Sequence, residues 1–178
     1  MKRFSVALVL MTVVLLATAG VAAAATRNFR THLSGDNEVP PSGVVIATLA
    51  QGQAIFNLSP DGQEMHYKLI VANINNVFMA HIHRGAPGTN GPVVVWLYPG
   101  TAPVPGPTGQ GRVNGVLVEG KFTAANLIAT TGITTLKQLL DEIEKGDAYV
   151  NVHTNDGVAP TNTGPGDYPG GEIRGHIH

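Results

Sequence analysis

Three stretches of this chain alternate apolar and polar residues with a period of two, and each carries histidine on its polar side. They are Ala80-His81-Ile82-His83-Arg84-Gly85, Tyr149-Val150-Asn151-Val152-His153-Thr154 and Glu172-Ile173-Arg174-Gly175-His176-Ile177-His178. Successive side chains of a strand point to opposite faces. Ala80 and Ile82, Val150 and Val152, and Ile173 and Ile177 therefore make apolar faces. His81 and His83, Asn151 and His153, and Arg174, His176 and His178 make the opposite ones. Five of the seven histidines fall on such polar faces, which reads either as a metal-capable surface or as a hydrogen-bonded polar layer.

Short runs rich in Val, Ile, Thr and aromatics predict further strands, and Gly and Pro clusters separate them. The first begins at Thr31–Leu33. Val44–Leu49 and Gln53–Leu58 follow a polar region over Asp36–Gly43. Ser59-Pro60-Asp61-Gly62 predicts a hairpin turn, because Pro presets φ and Gly supplies φ > 0. Met65–Val71 is its partner strand. Val77–His83 and Val93–Tyr98 flank a loop over Arg84–Pro92, and Gly115–Phe122 follows a second loop over Pro99–Gly111. One helix stands out, since Leu136, Leu139, Leu140 and Ile143 recur at i, i+3, i+4 and i+7. Thr135 and Gln138 form a capping box at its start, and Gly146 is placed to end it. The helix is expected across one end or edge of a sandwich. Asn155–Gly171 is a long polar loop before the last strand.

The N-terminus departs from this pattern. Lys2 and Arg3 precede an apolar run over Val6–Leu16, and Val21–Ala25 offers small-residue cleavage sites, as in an export signal over residues 1–25. A retained membrane anchor is the alternative, and the short apolar centre with its Ala-rich end favours cleavage. Removing the first 25 of 178 residues leaves 153, enough for one domain over residues 26–178. Loss of Lys2 and Arg3 takes the formal charge from −1 to −3, which argues against electrostatic capture of nucleic acid. Cysteine is absent, so thiolate ligands and nucleophiles, a disulfide framework and a lipid-modified cysteine are excluded. The expected location is periplasmic, cell-surface or extracellular, with no stable membrane span after cleavage.

Four segments in order resemble the CHRD family, the domain named after the extracellular protein chordin. They are Leu33-Ser34-Gly35-Asp36-Asn37-Glu38-Val39-Pro40-Pro41, then Ala80–Gly85 with Asn90-Gly91-Pro92-Val93-Val94, then Tyr149–Thr154, and finally Pro169-Gly170-Gly171-Glu172-Ile173-Arg174-Gly175. The resemblance spans Thr31–Ile177. It implies an exported, antiparallel β-sandwich of immunoglobulin-like or superoxide-dismutase-like form, here with one short helix. It implies no settled activity, and chordin's role as a growth-factor antagonist is an analogy only. The chain departs from the family in ending on His176 and His178, which adds two imidazoles.

In a strand, His81 and His83 share a face and can reach one ion. Imidazole suits Zn and Cu. His153 from a neighbouring strand makes a three-histidine set with an open position, and His176 is the candidate fourth ligand. Neutral imidazole is needed for ligation, so binding is expected to weaken below about pH 6. Met79-Ala80-His81-Ile82-His83 also resembles the His-x-His strand of copper/zinc superoxide dismutase. No His lies between Arg84 and Ala148 and there is no Cys, so that enzyme's two-metal site is not expected. Glu38 or Glu172 could orient an imidazole. The favoured reading gives Glu172 and Arg174 a structural role in sheet register, with Arg174 reaching Asp36 or Glu38. No nucleophile elbow, phosphate loop or dinucleotide fingerprint occurs. The leading expectation is an exported binding or structural module holding one Cu or Zn ion at His81, His83 and His153, with His176 added. The alternatives are a metal-free module for an extracytoplasmic protein or matrix partner, and a mononuclear copper redox enzyme.

Overall fold

Eight antiparallel strands form one curled sheet in the structure, a computed structural model that describes residues 27–100 and 102–178. The predicted export segment lies outside the described residues. The strands are β1 (Asn28–Ser34), β2 (Gln51–Leu58), β3 (Met65–Asn75), β4 (Val77–Arg84), β5 (Val93–Tyr98), β6 (Arg112–Phe122), β7 (Ala148–Thr154) and β8 (Ile173–His176). Their order across the sheet is β5-β4-β7-β8-β1-β2-β3-β6. The sheet turns back on itself far enough for the Tyr67 hydroxyl of β3 to donate to the Leu97 carbonyl of β5 at 2.8 Å. This is the expected all-β architecture, between a sandwich and a nearly closed barrel.

Alternation explains what lies inside. Leu33, Ala54, Phe56, Leu69, Ala80, Ile82, Val150, Val152 and Ile173 project from one face and are buried in a single cluster. The helix α1 (Leu136–Lys145) adds Leu136, Leu139, Leu140 and Ile143 to that cluster. Each such side chain contributes roughly 1.5–3 kcal/mol on burial. The helix starts at a Thr135/Gln138 capping box and stops at Gly146, which sits at φ 79° in the left-handed region. The turn after β2 also forms as its residues predict. Gly62 takes φ 71°, and the Asp61 carboxylate accepts from the Ser59 hydroxyl and the Gln63 N–H. Among the described residues no helix is long and apolar enough to cross a membrane.

One predicted strand does not form. Val44–Leu49 joins no ladder. Side chains take its backbone partners instead: the Tyr168 hydroxyl bonds Val45 O and Ala47 N, and the Thr48 hydroxyl accepts from Ala50 N. Val45 and Leu49 are left 78% and 84% exposed, so the β-branched run that suggested a strand covers no core on its outer side.

Candidate metal centre

Strand order decides which histidines meet. β4 and β7 are neighbours, and their register pairs His81 with Asn151, His83 with Tyr149, and Met79 with His153. His81 and His83 of β4 and His153 of β7 therefore share one face. One ligand atom from each can be chosen so that all lie within 4.8 Å of one another, and all three residues are buried. The ladder from β4 to β5 shifts register between Ala80 and His81 and again between Ile82 and His83. Bulges of this kind re-aim side chains, and here the outcome sets Trp96 opposite His81, ring centroids 4.2 Å apart.

His176 does not join the group. β8 is the far neighbour of β7, and its register sets His176 against Tyr149. A whole strand, some ~4.8 Å wide on each side, separates it from the β4 histidines. Tyr149 occupies the interval, with its ring stacked on His83 at 5.0 Å and 9° and lying 5.4 Å from His176. The His176 Nε2 faces the Gly85 carbonyl at 3.2 Å. His178, the last histidine of the pattern, is exposed.

Loops cover the polar face, which is why its residues are buried rather than solvated. The loop after β4 lies over His83: the Gly91 carbonyl is 2.9 Å from His83 Nδ1, and the Gly91 N–H donates to the Tyr149 hydroxyl at 3.0 Å. Only glycine fits there, because a Cβ at position 91 would run into the Arg84 carbonyl. The loop before β8 lies over His153, with the Pro169 carbonyl 3.0 Å from His153 Nδ1. Glu38, from the segment after β1, reaches Asn151. Arg174 anchors the cover. It is fully buried, donates to Thr89 O and Asn90 Oδ1, and lays its guanidinium 3.4 Å from the Tyr149 ring centre. It forms no ion pair with Asp36 or Glu38; its two terminal nitrogens are held by loop groups instead, and Nε has no partner.

These contacts fix the protons. A carbonyl oxygen only accepts, so Nδ1 carries the hydrogen on both His83 and His153, and Nε2 is left as a bare lone pair. His153 Nε2 lies 3.2 Å from His81 Nδ1, so that nitrogen of His81 must donate. His81 Nε2 is then bare as well. His81 Nε2 and His83 Nε2 are buried with no hydrogen-bond partner. Backbone carbonyls orient the imidazoles here, a task the sequence had offered to Glu38 or Glu172. Such acceptors behind ligand histidines are the usual supporting contacts of metal sites.

Burial also keeps the rings neutral. Desolvation first, then the neighbouring rings, push His81 down to about 2; desolvation leads again in pushing His153 down to about 3. His83 is lowered by the same cause against the opposing Gly91 contact. Desolvation drives the Glu38 carboxyl the other way, up to about 8, although Arg174 pulls it down. Of the surrounding residues, Tyr149 was legible in principle, having the strand parity of Asn151 and His153. Trp96, Gly91 and Pro169 carry no such signal, since bulged register and loop folding bring them in.

Residues 29–177 match the family model of the CHRD domain, nearly the whole chain. No curated protein and no solved structure matches the chain.

Proposed function

The chain belongs to the CHRD domain family, and on that premise we propose that it is an exported binding module whose His81, His83 and His153 hold a single copper or zinc ion. One observation carries this reading. Three neutral imidazoles from two strands converge under a loop cover, with two of them locked by carbonyls into the tautomer that leaves Nε2 unprotonated. Buried polar atoms are rarely left without partners, and His81 Nε2 and His83 Nε2 have none. Three histidines with an open fourth position is a known donor set for zinc, and imidazole serves copper equally. Export rests on the N-terminal segment, and the extracytoplasmic partner is a protein or matrix component.

A second reading is favoured by the His81–His153 contact. Its N···N separation of 3.2 Å is a hydrogen bond that needs no ion, as in a polar layer that orders the loops of a metal-free interaction module. Elemental analysis and calorimetry on tag-free protein separate the two. The ion reading requires about one ion per chain at micromolar metal, and a His81→Ala/His83→Ala variant that takes up none. Absence of uptake, or uptake unchanged in the variant, leaves the polar-layer reading.

A further inference from the structure

The ladder that joins β4 to β7 sets one more donor on the histidine face. Met79 has the strand parity of His81 and His83 and stands directly opposite His153. Opposed residues of an antiparallel pair hold their Cβ atoms about 5 Å apart. Methionine is unbranched, has three rotatable bonds and ends in a polarizable thioether, so its sulfur can sweep toward the ring across from it. Met79 is only partly buried, unlike the three histidines. Trp96, also partly buried, stands on the other side of His81.

Charge around the histidine group points in the same direction. The three imidazoles are neutral. Among the described residues no Cys, Asp or Glu joins the histidine group. Arg174, which is cationic, acts on His83, and burial of Glu38 favours its neutral acid. The buried Glu172 carboxylate is taken up by Thr48, Thr154 and Gly166 rather than by the histidines. The Born cost of burying an ion grows with the square of its charge, so a divalent ion pays about four times what a monovalent one does. No anionic ligand repays the difference here. Thioether donors select Cu(I), and imidazole accepts copper.

We propose that His81, His83, His153 and Met79 form a four-donor site that takes a soft monovalent cation, Cu(I), in preference to Zn(II) or Cu(II). This rests on the ion reading of the histidine group and names the ion. The chain's single tryptophan lies beside His81 and reports occupancy.

The test is an anaerobic titration of tag-free protein with Cu(I), in competition with bicinchoninate and followed by Trp96 emission, beside calorimetry with Zn(II) and Cu(II). Expected are one Cu(I) per chain with quenched emission, and Cu(I) held ~100-fold or more tighter than Zn(II) and tighter than Cu(II). Met79→Leu keeps volume and apolar character. It should weaken Cu(I) about tenfold or more and leave Zn(II) within about threefold, since zinc prefers nitrogen and oxygen or thiolate donors. X-ray absorption on the unaltered Cu(I) protein should show one sulfur beside nitrogen neighbours. A nitrogen-only shell overturns the proposal whether or not the variant folds. So does a divalent ion bound tighter than Cu(I), or an unchanged Cu(I) affinity in Met79→Leu, and either outcome leaves the ion reading standing. No uptake of any of the three ions removes both.

Discussion

Glu172 and the His81–His83–His153 group are both buried polar centres, and β8 leads away from one while β7 carries part of the other. They are satisfied in opposite ways. Glu172 is fully buried, and its carboxylate accepts from the Thr48 hydroxyl at 2.5 Å, the Thr154 hydroxyl at 2.6 Å and the Gly166 N–H at 2.8 Å. One side chain ties the segment before β2, the end of β7 and the loop before β8 together. Glu38 Oε1, His81 Nε2, His83 Nε2, Asn151 Oδ1 and Arg174 Nε, on or against the β4-β7-β8 face, are by contrast buried with no partner. A closed set of hydrogen bonds is what a structural carboxylate needs. Buried polar atoms left open in this way cost stability.

Acid separates the two regions most sharply. The folded values of His81 and His153 lie far below the unfolded value near 6.5. The unfolded chain therefore binds protons that the folded chain refuses. Stability from the neutral rings is complete above about pH 6.5 and is lost as pH falls toward the folded values. For both rings the loss reaches on the order of 5 kcal/mol by pH 4.5. Chemical denaturation of the ion-free protein across pH 7.5 to 4.5 measures it, and a His81→Phe/His153→Leu variant should flatten the curve. A flat curve in the unaltered protein would mean the rings are solvated after all. The same shift moves proton competition for an ion well below the pH 6 that unperturbed imidazole implies.

Removing the closed set should cost less than that but more than any remaining single change. Glu172→Ala strands two hydroxyls and one N–H, and a loss of about 3 kcal/mol is expected from urea unfolding, with ion stoichiometry preserved in the folded fraction. Retained stability would make Glu172 redundant. Glu38 tests the open set from its acidic side. Its folded value near 8 exceeds the usual 4.5, so the folded state holds a proton the unfolded state gives up, and stability falls as pH rises from 4.5 to 8. Glu38→Gln mimics the neutral acid and should stabilise the protein at pH 8, with no gain at pH 4. An equal effect at both values would assign it to packing. Tyr149→Phe is the mildest probe. It removes the hydroxyl that holds Gly91 N–H, with an expected cost of about 1 kcal/mol. Through the Gly91 carbonyl behind His83 it should also weaken ion affinity about tenfold, as calorimetry can show.

Much of the fold was legible because period-two alternation and turn chemistry are local. The helix was readable to the residue, with Thr135, Gln138 and Gly146 in their expected places. Val44–Leu49 was misread for the same reason that the others were not: β-branched residues favour extended backbone wherever they are, and a ladder needs a partner. At the site, parity alone placed His81, His83 and His153 on polar faces. It placed His176 there too, and parity cannot say that β7 intervenes.

The sequence by itself determined the eight strands that form, though not that Val44–Leu49 stays out of the sheet, with their inward and outward faces, the helix with its caps, and the family, since these follow from neighbours a few residues apart. Strand order, register and loop cover were left to the tertiary structure. They brought His153 beside His81 and Met79, moved His176 behind Tyr149, and buried a face that composition marks as polar. The physical reason is that desolvation and coordination depend on which atoms lie within a few ångströms, and pairing strands distant in sequence is a decision of the whole chain.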